Sequence, residues 1–183
     1  RQLMMSNRFQ EAVEAYEQAF NDDPALEGRA ADEYAAALIG LSVEVKDNDP
    51  ERAKALLLRA IDASPDSVPV HSGLGALLVG MGDMQGAAQA YEKATELDST
   101  SPDAFFNLGY VYARTRAYEQ AEAAYARAVE LEPDYLDEAL SNLAVVQYLL
   151  GKRQESVANL ERALERNPDN ELARRCLQRV KEE

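Results

Sequence analysis

The chain has 183 residues, of which 46% are hydrophobic, and its formal net charge is −14 because 33 acids stand against 19 bases. This length fits one domain or one short solenoid, and the acidity disfavours nucleic-acid binding, which needs a basic stripe to neutralise phosphates. The single cysteine, Cys176, excludes an internal disulfide framework and a cysteine-rich metal site.

The first predicted element covers residues 1–24 and is a partial repeat. Four residues carry the spacing of a second helix: Ala12, Tyr16, Ala19 and Pro24. Its first helix is reduced to a stub at Arg1–Met5, so Phe9 would face a missing helix. Because the sequence starts inside this pattern, we expect the N-terminus of the parent protein to be missing. The uncapped start could support self-association.

The second element, residues 25–67, is predicted to be a repeat with a lengthened first helix. Ala19 and Ala60 occupy equivalent positions but lie 41 residues apart, seven more than the period of 34 that the later elements show. Ala25–Val45 is rich in Ala, Leu and Glu, which are good helix formers. We therefore interpret the extra residues as about two added turns of helix. A looped insertion is the alternative.

Three repeats follow, at residues 68–101, 102–136 and 137–170. The clearest has eight signature residues: Phe105, Leu108, Gly109, Tyr112, Ala121, Tyr125, Ala128 and Pro133. Thirty-four residues earlier, the matching positions hold His71, Leu74, Gly75, Leu78, Ala87, Tyr91 and Ala94. The small residues predict close helix contacts, and the tyrosines fill the space towards the next unit. Such helix pairs cannot bury their apolar sides alone, so they must stack.

The last element, residues 171–183, is predicted to be a capping helix. Its apolar residues share one helical face: Leu172, Ala173, Cys176, Leu177 and Val180. The other faces are polar, as a terminal repeat requires. Cys176 is accordingly interpreted as a packed residue, and not as a redox or catalytic group.

The pattern from Pro102 to Tyr135 resembles the tetratricopeptide repeat at every signature site, with Phe105 where tryptophan is usual. The resemblance covers nearly the whole chain. It implies an all-α fold, namely a right-handed superhelical solenoid of antiparallel helix pairs with a C-terminal capping helix. It also implies a scaffold for protein–protein interactions, because the family shares scaffolding more than any single activity.

The resemblance further implies that the first helix of each pair lines a concave, peptide-binding face. By helical phase, the residues expected there are Phe106, Asn107, Tyr110, Arg114, Ser141, Asn142, Val145 and Tyr148. The earlier repeats would add two groups: Ser72, Gly73 and Ala76, which are small, and Tyr34, Leu38 and Leu41.

Two features of this face carry the binding hypothesis. Asn107 and Asn142 fall at equivalent places, and an amide has both a donor and an acceptor for pairing with a peptide backbone. The alternative is that both are solvated polar residues. Aromatic side chains at Phe106, Tyr110 and Tyr148 could anchor a partner, or they could pack against neighbouring first helices.

The charge of this face bears on the partner. Some relatives grip the C-terminal carboxylate of heat-shock chaperones with Lys and Arg beside such asparagines, whereas this sequence has Asp103 and Glu138 there. This difference disfavours a chaperone-tail clamp and favours a neutral or basic peptide. The overall acidity can also be interpreted as a means of solubility.

The sequence offers little for catalysis, which needs convergent titratable groups. His71 is the sole histidine and is interpreted as a packed residue, so no second His or Cys can complete a zinc site. No glycine-rich phosphate loop is present. We therefore expect no enzyme activity, no cofactor and no metal.

No apolar run is long enough to span a membrane, and no stretch has the order of a secretion signal. Localisation stays open, with the cytoplasm slightly favoured. The leading hypothesis is a protein-interaction scaffold that binds an extended peptide from Tyr34 to Tyr148. The alternatives are an assembly or self-association module, and the regulatory repeat region of a larger enzyme.

Overall fold

The computed structural model describes the backbone of residues 2–182 and the side chains of residues 8–182. Across the described backbone it contains ten α-helices, one short 3₁₀-helix and no β-strand. The all-α prediction is therefore confirmed. The chain divides into two compact units, residues 1–97 and residues 98–183.

The first unit consists of one helix followed by two helix pairs. Its elements are α1 (Gln2–Asp22), a 3₁₀-helix (Pro24–Leu26), α2 (Ala31–Val45), α3 (Pro50–Ala63), α4 (Val68–Met81) and α5 (Met84–Leu97). Asp49 caps α3 by accepting a 3.0 Å hydrogen bond from the Arg52 backbone amide. Gly82, with a φ of 82°, ends α4 in the left-handed conformation that glycine adopts without strain.

The lengthened first helix predicted for residues 25–67 is wrong, because α2 is an ordinary helix of 15 residues. The insertion is looped instead. Asp23 accepts a 3.1 Å hydrogen bond from the Ala25 amide and starts a single 3₁₀ turn at Pro24. A further turn follows, in which the Ala30 amide donates a hydrogen bond to the Leu26 carbonyl at 2.9 Å. A local turn of this kind outweighs the helix propensity of the alanines that follow it.

The predicted helix stub at Arg1–Met5 is also wrong, since α1 runs unbroken from Gln2 to Asp22. Arg1 itself lies outside the described residues. The Phe9 side chain is 41% exposed but is not wholly unpartnered. Its ring lies against Gly40 of α2, where an added Cβ would come within 2.3 Å of a ring carbon.

The apolar core of the first unit lies between its helices. Val13 of α1, Leu38 of α2 and Val70 of α4 are all buried in it. In the α4–α5 pair, a Cβ added to Gly75 would lie 2.8 Å from the Tyr91 ring, so only glycine permits this approach. Burial raises the pKa of the Tyr91 hydroxyl to about 12.

The second unit consists of two helix pairs and a terminal helix. Its elements are α6 (Pro102–Arg114), α7 (Tyr118–Glu130), α8 (Leu136–Leu149), α9 (Arg153–Arg166) and α10 (Glu171–Glu182). Its core includes Tyr125, Leu140 and Leu160, each at most 2% exposed. Gly109 of α6 repeats the arrangement of Gly75, because a Cβ there would lie 2.8 Å from a ring carbon of Tyr125. The positions of these glycines agree with the predicted close helix contacts.

Helix α10 packs on this core in the way expected of a cap. Ala173 and Val180 are buried against it, and Cys176 and Leu177 are partly buried beside them. Burial raises the pKa of the Cys176 thiol, whereas nearby Arg175 and Arg179 oppose that rise. A protonated, packed thiol is a poor nucleophile, which supports the structural interpretation of Cys176.

Asn170 fixes the start of α10. Its carboxamide oxygen accepts from the Ala173 amide at 2.9 Å, while its nitrogen reaches an Asp137 carboxylate oxygen at 2.8 Å and Ser141 Oγ at 3.2 Å. Asn167 donates to the same Asp137 oxygen at 2.8 Å. Partial burial opposes ionisation of Asp137, but these hydrogen bonds prevail and hold the pKa of its carboxyl below the usual value.

Replacing Asn170 with alanine is expected to lower the free energy of unfolding by about 1–3 kcal/mol, because it removes a helix cap together with the hydrogen bonds that Asn170 donates to Asp137 and Ser141. Urea unfolding followed by circular dichroism would measure the loss. Asn167→Ala is the matched control, since it removes two hydrogen bonds that are both exposed, to Asp137 and from the Asp169 amide, and should cost roughly 1 kcal/mol at most. Equal losses in the two variants would contradict the role given to Asn170.

Candidate functional site

The candidate site is the exposed side of α6 and α8, the first helices of the two pairs in the second unit. We call it the α6–α8 face and define it by Asp103, Phe106, Asn107, Tyr110, Arg114, Glu138, Asn142 and Val145. The two helices meet through Tyr135, which directly precedes α8 and reaches back to α6. This contact brings residues from two repeats to one surface.

An open pocket of about 260 Å³ lies at the centre of this face. Its lining contains two carboxylates, two aromatic rings and one amide: Asp103, Glu138, Phe106, Tyr135 and Asn107. Such a mixture of ring surface and a few polar groups is typical of binding sites in proteins.

Phe106 forms the aromatic wall of the pocket. Its ring packs edge-on against Tyr125, with centroids 5.5 Å apart, and against Tyr135 at 5.2 Å. It is therefore half-buried and serves two purposes, since one part supports the core and another part lines the pocket. Its packing partners lie on α7 and on the connector before α8, and not on a neighbouring first helix as the sequence suggested, while anchoring of a partner by Phe106 stays a prediction.

The Tyr135 hydroxyl donates a hydrogen bond to the Asp103 carboxylate across the pocket. Partial burial, this hydrogen bond and the negative charges of Asp103 and Glu138 together raise the pKa of Tyr135. The hydroxyl thus stays protonated and continues to donate throughout the physiological pH range. The carboxylate of Asp103 is consequently held in a fixed position at the rim.

The two asparagines of the predicted ladder differ in their hydrogen bonding. Asn142 donates from its side chain to the Glu138 carbonyl of its own helix at 3.2 Å, which leaves its carboxamide oxygen for other partners. Asn107 makes no side-chain hydrogen bond within the part of the chain that the structure describes. Its donor and acceptor are both available at the pocket.

Tyr110 and Arg114 form the end of the face next to the α6 C-terminus. The Arg114 guanidinium donates to the Tyr110 hydroxyl at 3.1 Å and lies 5.8 Å from the centre of its ring. Tyr110 is one of the large apolar side chains that remain exposed, at 37%. An ordered, exposed aromatic ring of this kind can receive a partner.

Ser141 is the clearest error among the predicted site residues. Its side chain is fully buried, donates to the Asp137 carbonyl at 2.6 Å and accepts from Asn170. The prediction failed because the start of α10 covers this part of α8. Tyr148 is half-buried and packs against the core, and Val145 is also half-buried.

The residues expected on the corresponding face of the first unit are mostly unavailable. Tyr34, Leu38 and Leu41 are buried, with Leu38 fully so, because they form the contacts of α2 with α1 and α3. Ser72 and Gly73 are half-buried and Ala76 is exposed. The sequence also missed Tyr135, since a connector residue has no helical phase from which its direction can be inferred.

His71 is buried, and its Nε2 lies 2.7 Å from the Pro65 carbonyl, as expected for a packed histidine. No group of three or more His, Cys, Asp or Glu side chains that could hold a metal was found among the described residues. None of the helices in residues 2–182 is both long and apolar enough to cross a membrane.

Comparison with known proteins decides the family. A profile described as "TPR repeat" matches residues 78–115, and one described as "Tetratricopeptide repeat" matches residues 100–169, so that together they span about half of the chain. The chain belongs to the tetratricopeptide-repeat family. The tetratricopeptide fold supports a scaffold for protein–protein interactions and is generally non-catalytic.

Individual relatives agree with this assignment. The human protein O-mannosyl-transferase TMTC3 is 31% identical over 155 residues, which cover 80% of this chain and only 17% of that protein. The tetratricopeptide protein YrrB, described as having an unusual peptide-binding site, is 22% identical and superposes with a TM-score of 0.73, covering 96% of this chain and 87% of YrrB. At 22% identity this likeness shows the fold alone.

A third comparison is a tetratricopeptide domain in complex with a peptide. The first such domain of Spaghetti (RPAP3), bound to the HSP90 peptide SRMEEVD, is 25% identical with a TM-score of 0.60 and covers 63% of this chain and 90% of that domain.

Proposed function

We propose that this chain is a protein-interaction module that binds an extended, neutral or basic peptide along the α6–α8 face. The observation that carries the proposal is the central pocket, where the unpaired amide of Asn107 lies beside the Phe106 ring and two carboxylates. Two solved relatives bind peptides according to their descriptions, which supports a peptide as the class of ligand.

Hydrogen bonding to peptide backbone would come from the asparagines. An extended peptide presents alternating N–H and C=O groups, and a side-chain amide can satisfy one of each. Asn107 has both groups available, and Asn142 still has its oxygen. The Tyr110 ring would add apolar contact next to them, as aromatic anchors do in other interfaces.

The proposal also specifies the charge of the peptide, which is neutral or basic. Asp103 and Glu138 line the pocket without a cation beside them, and Arg114 lies further along α6 next to Tyr110. The peptide SRMEEVD bound by the RPAP3 domain is acidic. We expect the α6–α8 face to disfavour such a peptide, because like charges across an interface are repulsive.

Binding of two labelled peptides tests this proposal: SRMEEVD, and a version in which lysine replaces each of its three acids. The intact chain should bind the basic peptide more tightly in fluorescence anisotropy. Asp103→Asn combined with Glu138→Gln should weaken that binding about three- to tenfold, as two exposed ion pairs allow. The preference should shrink at high salt.

The matched control carries the same change in charge on α9, where Glu155 and Glu165 are exposed. Glu155→Gln with Glu165→Gln should leave affinity within about twofold, because neither residue lines the pocket. Equal weakening by the two pairs would mean that only net charge attracts the peptide. Tighter binding of SRMEEVD would overturn the charge preference.

Capture of natural partners from lysate tests the peptide mode itself. Asn107→Ala with Asn142→Ala is better suited to this than a variant of Phe106, because Phe106 also supports the core. A partner held by the wild type and lost by the folded double variant would place binding on the α6–α8 face. Unchanged capture would remove the asparagine proposal.

A second candidate role rests on the match to TMTC3, a relative whose name describes a mannosyl transferase. The chain spans 17% of that protein, so it could serve as the repeat region of a larger enzyme. Sequencing the full open reading frame would test this directly. A transferase domain in the same chain would support the role, and a parent protein made only of repeats would remove it.

A further inference from the structure

A second and larger cleft lies in the first unit, where the looped insertion at residues 24–30 separates α1 from α2. Its volume is about 690 Å³. Its walls come from α1, the insertion, the start of α2 and the end of α3. The cleft is a product of the seven extra residues, since a regular connection would bring these helices together sooner.

Aromatic rings form the inner wall of this cleft. Phe20 and Tyr34 meet edge-on with centroids 5.2 Å apart, and Tyr16 packs against both at 6.0 and 5.9 Å. Tyr34 is nearly buried, at 9% exposure, whereas Phe20 remains partly exposed. Phe20 therefore offers a ring surface to anything that enters the cleft.

The charges around the cleft are unbalanced. Arg59 of α3 binds the Glu17 carboxylate and the Tyr34 hydroxyl, and its guanidinium lies 5.9 Å from the centre of the Tyr34 ring. Glu17 is therefore neutralised within the protein. Glu27 and Asp62 also line the cleft, and neither has an ion pair or a side-chain hydrogen bond among the described residues.

We infer that this cleft binds a cationic side chain, arginine or lysine, presented by a basic segment of a partner protein. Glu27 and Asp62 supply the two unmatched negative charges, and Phe20 supplies a ring on which a cation can stack. Arg59 already shows that a guanidinium is accommodated beside these aromatic rings. The volume exceeds what one side chain fills, so residues flanking the cation can enter as well.

This inference does not depend on the peptide-binding role of the α6–α8 face. The lining residues all belong to the first unit, and they come mainly from the second helices α1 and α3 and from the insertion. The proposed recognition also differs in kind, because it uses a side-chain charge, whereas the asparagines would pair with peptide backbone.

Amide-resolved NMR titration of the intact chain tests the inference. The probe is an acetylated and amidated hexapeptide of alternating glycine and arginine, compared with the same peptide containing citrulline, which is similar in shape but uncharged. We expect the arginine peptide to shift the amide signals of Phe20, Gly28 and Asp62, and the citrulline peptide to leave them in place. Signals of Asn107 and Glu138 report separately on the α6–α8 face.

Two paired variants decide whether the cleft itself attracts the cation. Glu27→Gln with Asp62→Asn should weaken binding at the cleft about three- to tenfold. Asp47→Asn with Glu51→Gln makes the same change in charge at exposed positions, one in the α2–α3 turn and one in the first turn of α3, and should leave the affinity of the cleft within about twofold. Absence of shifts at the cleft, equal shifts with citrulline, or equal weakening by the two pairs would each overturn the inference.

Discussion

Replacing Tyr125 with alanine is expected to lower the free energy of unfolding by about 3–5 kcal/mol, the range for truncating a large buried aromatic side chain. Tyr125 is only 2% exposed, fills the space against Gly109 and stacks edge-on with Phe106. Because Gly109 has no side chain, it cannot move in to fill the cavity. The midpoint of thermal unfolding should fall by roughly 6–20 °C for a chain of this length.

Tyr125→Phe is the matched control, because it keeps the ring and removes only the hydroxyl. Burial and the neighbouring Tyr110 and Glu138 raise the pKa of this hydroxyl, so the group is neutral in the folded chain and its loss removes no charge. The phenylalanine variant should stay within about 1 kcal/mol of the wild type. An alanine variant that loses less than this would show that the packing of α7 on α6 matters little.

Replacing Gly109 with leucine is expected to cost about 1–3 kcal/mol or more, because the new side chain would overpack the contact between α6 and α7. Even a single Cβ at Gly109 would come within 2.8 Å of Tyr125 Cδ1 and 2.9 Å of its Cγ. These atoms lie near the base of the ring, so the backbones of both helices would have to separate. Thermal and urea unfolding would both detect the change.

Gly80→Ala provides the opposite control on α4. An added Cβ at Gly80 would meet no atom within 4 Å, and alanine favours an exposed helical position by roughly 0.5–1 kcal/mol over glycine. This variant should therefore be slightly more stable than the wild type. A destabilised Gly80→Ala, or a fully stable Gly109→Leu, would contradict the view that, inside these two helices, glycine is needed only at the close helix contacts.

The sequence predicted which residues pack between helices better than it predicted which residues are exposed. Gly75, Gly109, Tyr91 and Tyr125 recur at fixed spacing because each solves the same local problem of close helix approach, so their roles could be inferred one repeat at a time. Asn107 was placed on the exposed side of α6 by the same helical phase. The positions of these residues could be predicted because they depend only on contacts within one helix pair.

The errors arose where residues outside that pattern intervene. Whether residues 24–30 would form a helix or a turn depended on the Asp23 cap, which competes with the high helix propensity of the alanines. Ser141 has the right phase for an exposed position, but Asn170, nearly one repeat later, covers it. The repeat boundaries, the localisation and self-association through the N-terminal end remain predictions.

The position of Tyr135 has a consequence for how the second unit behaves as a repeat array. Its ring and hydroxyl complete a pocket on α6, although the residue belongs to the segment that leads into the next helix pair. A helix pair isolated from its successor would thus lack part of the pocket. In a repeat protein, stability is approximately the sum of the repeats and their nearest-neighbour interfaces, and a ligand stabilises the state that it binds. A peptide bound in this pocket would accordingly stabilise the interface between the two repeats. As peptide fills the pocket in more of the molecules, the two repeats would unfold more cooperatively.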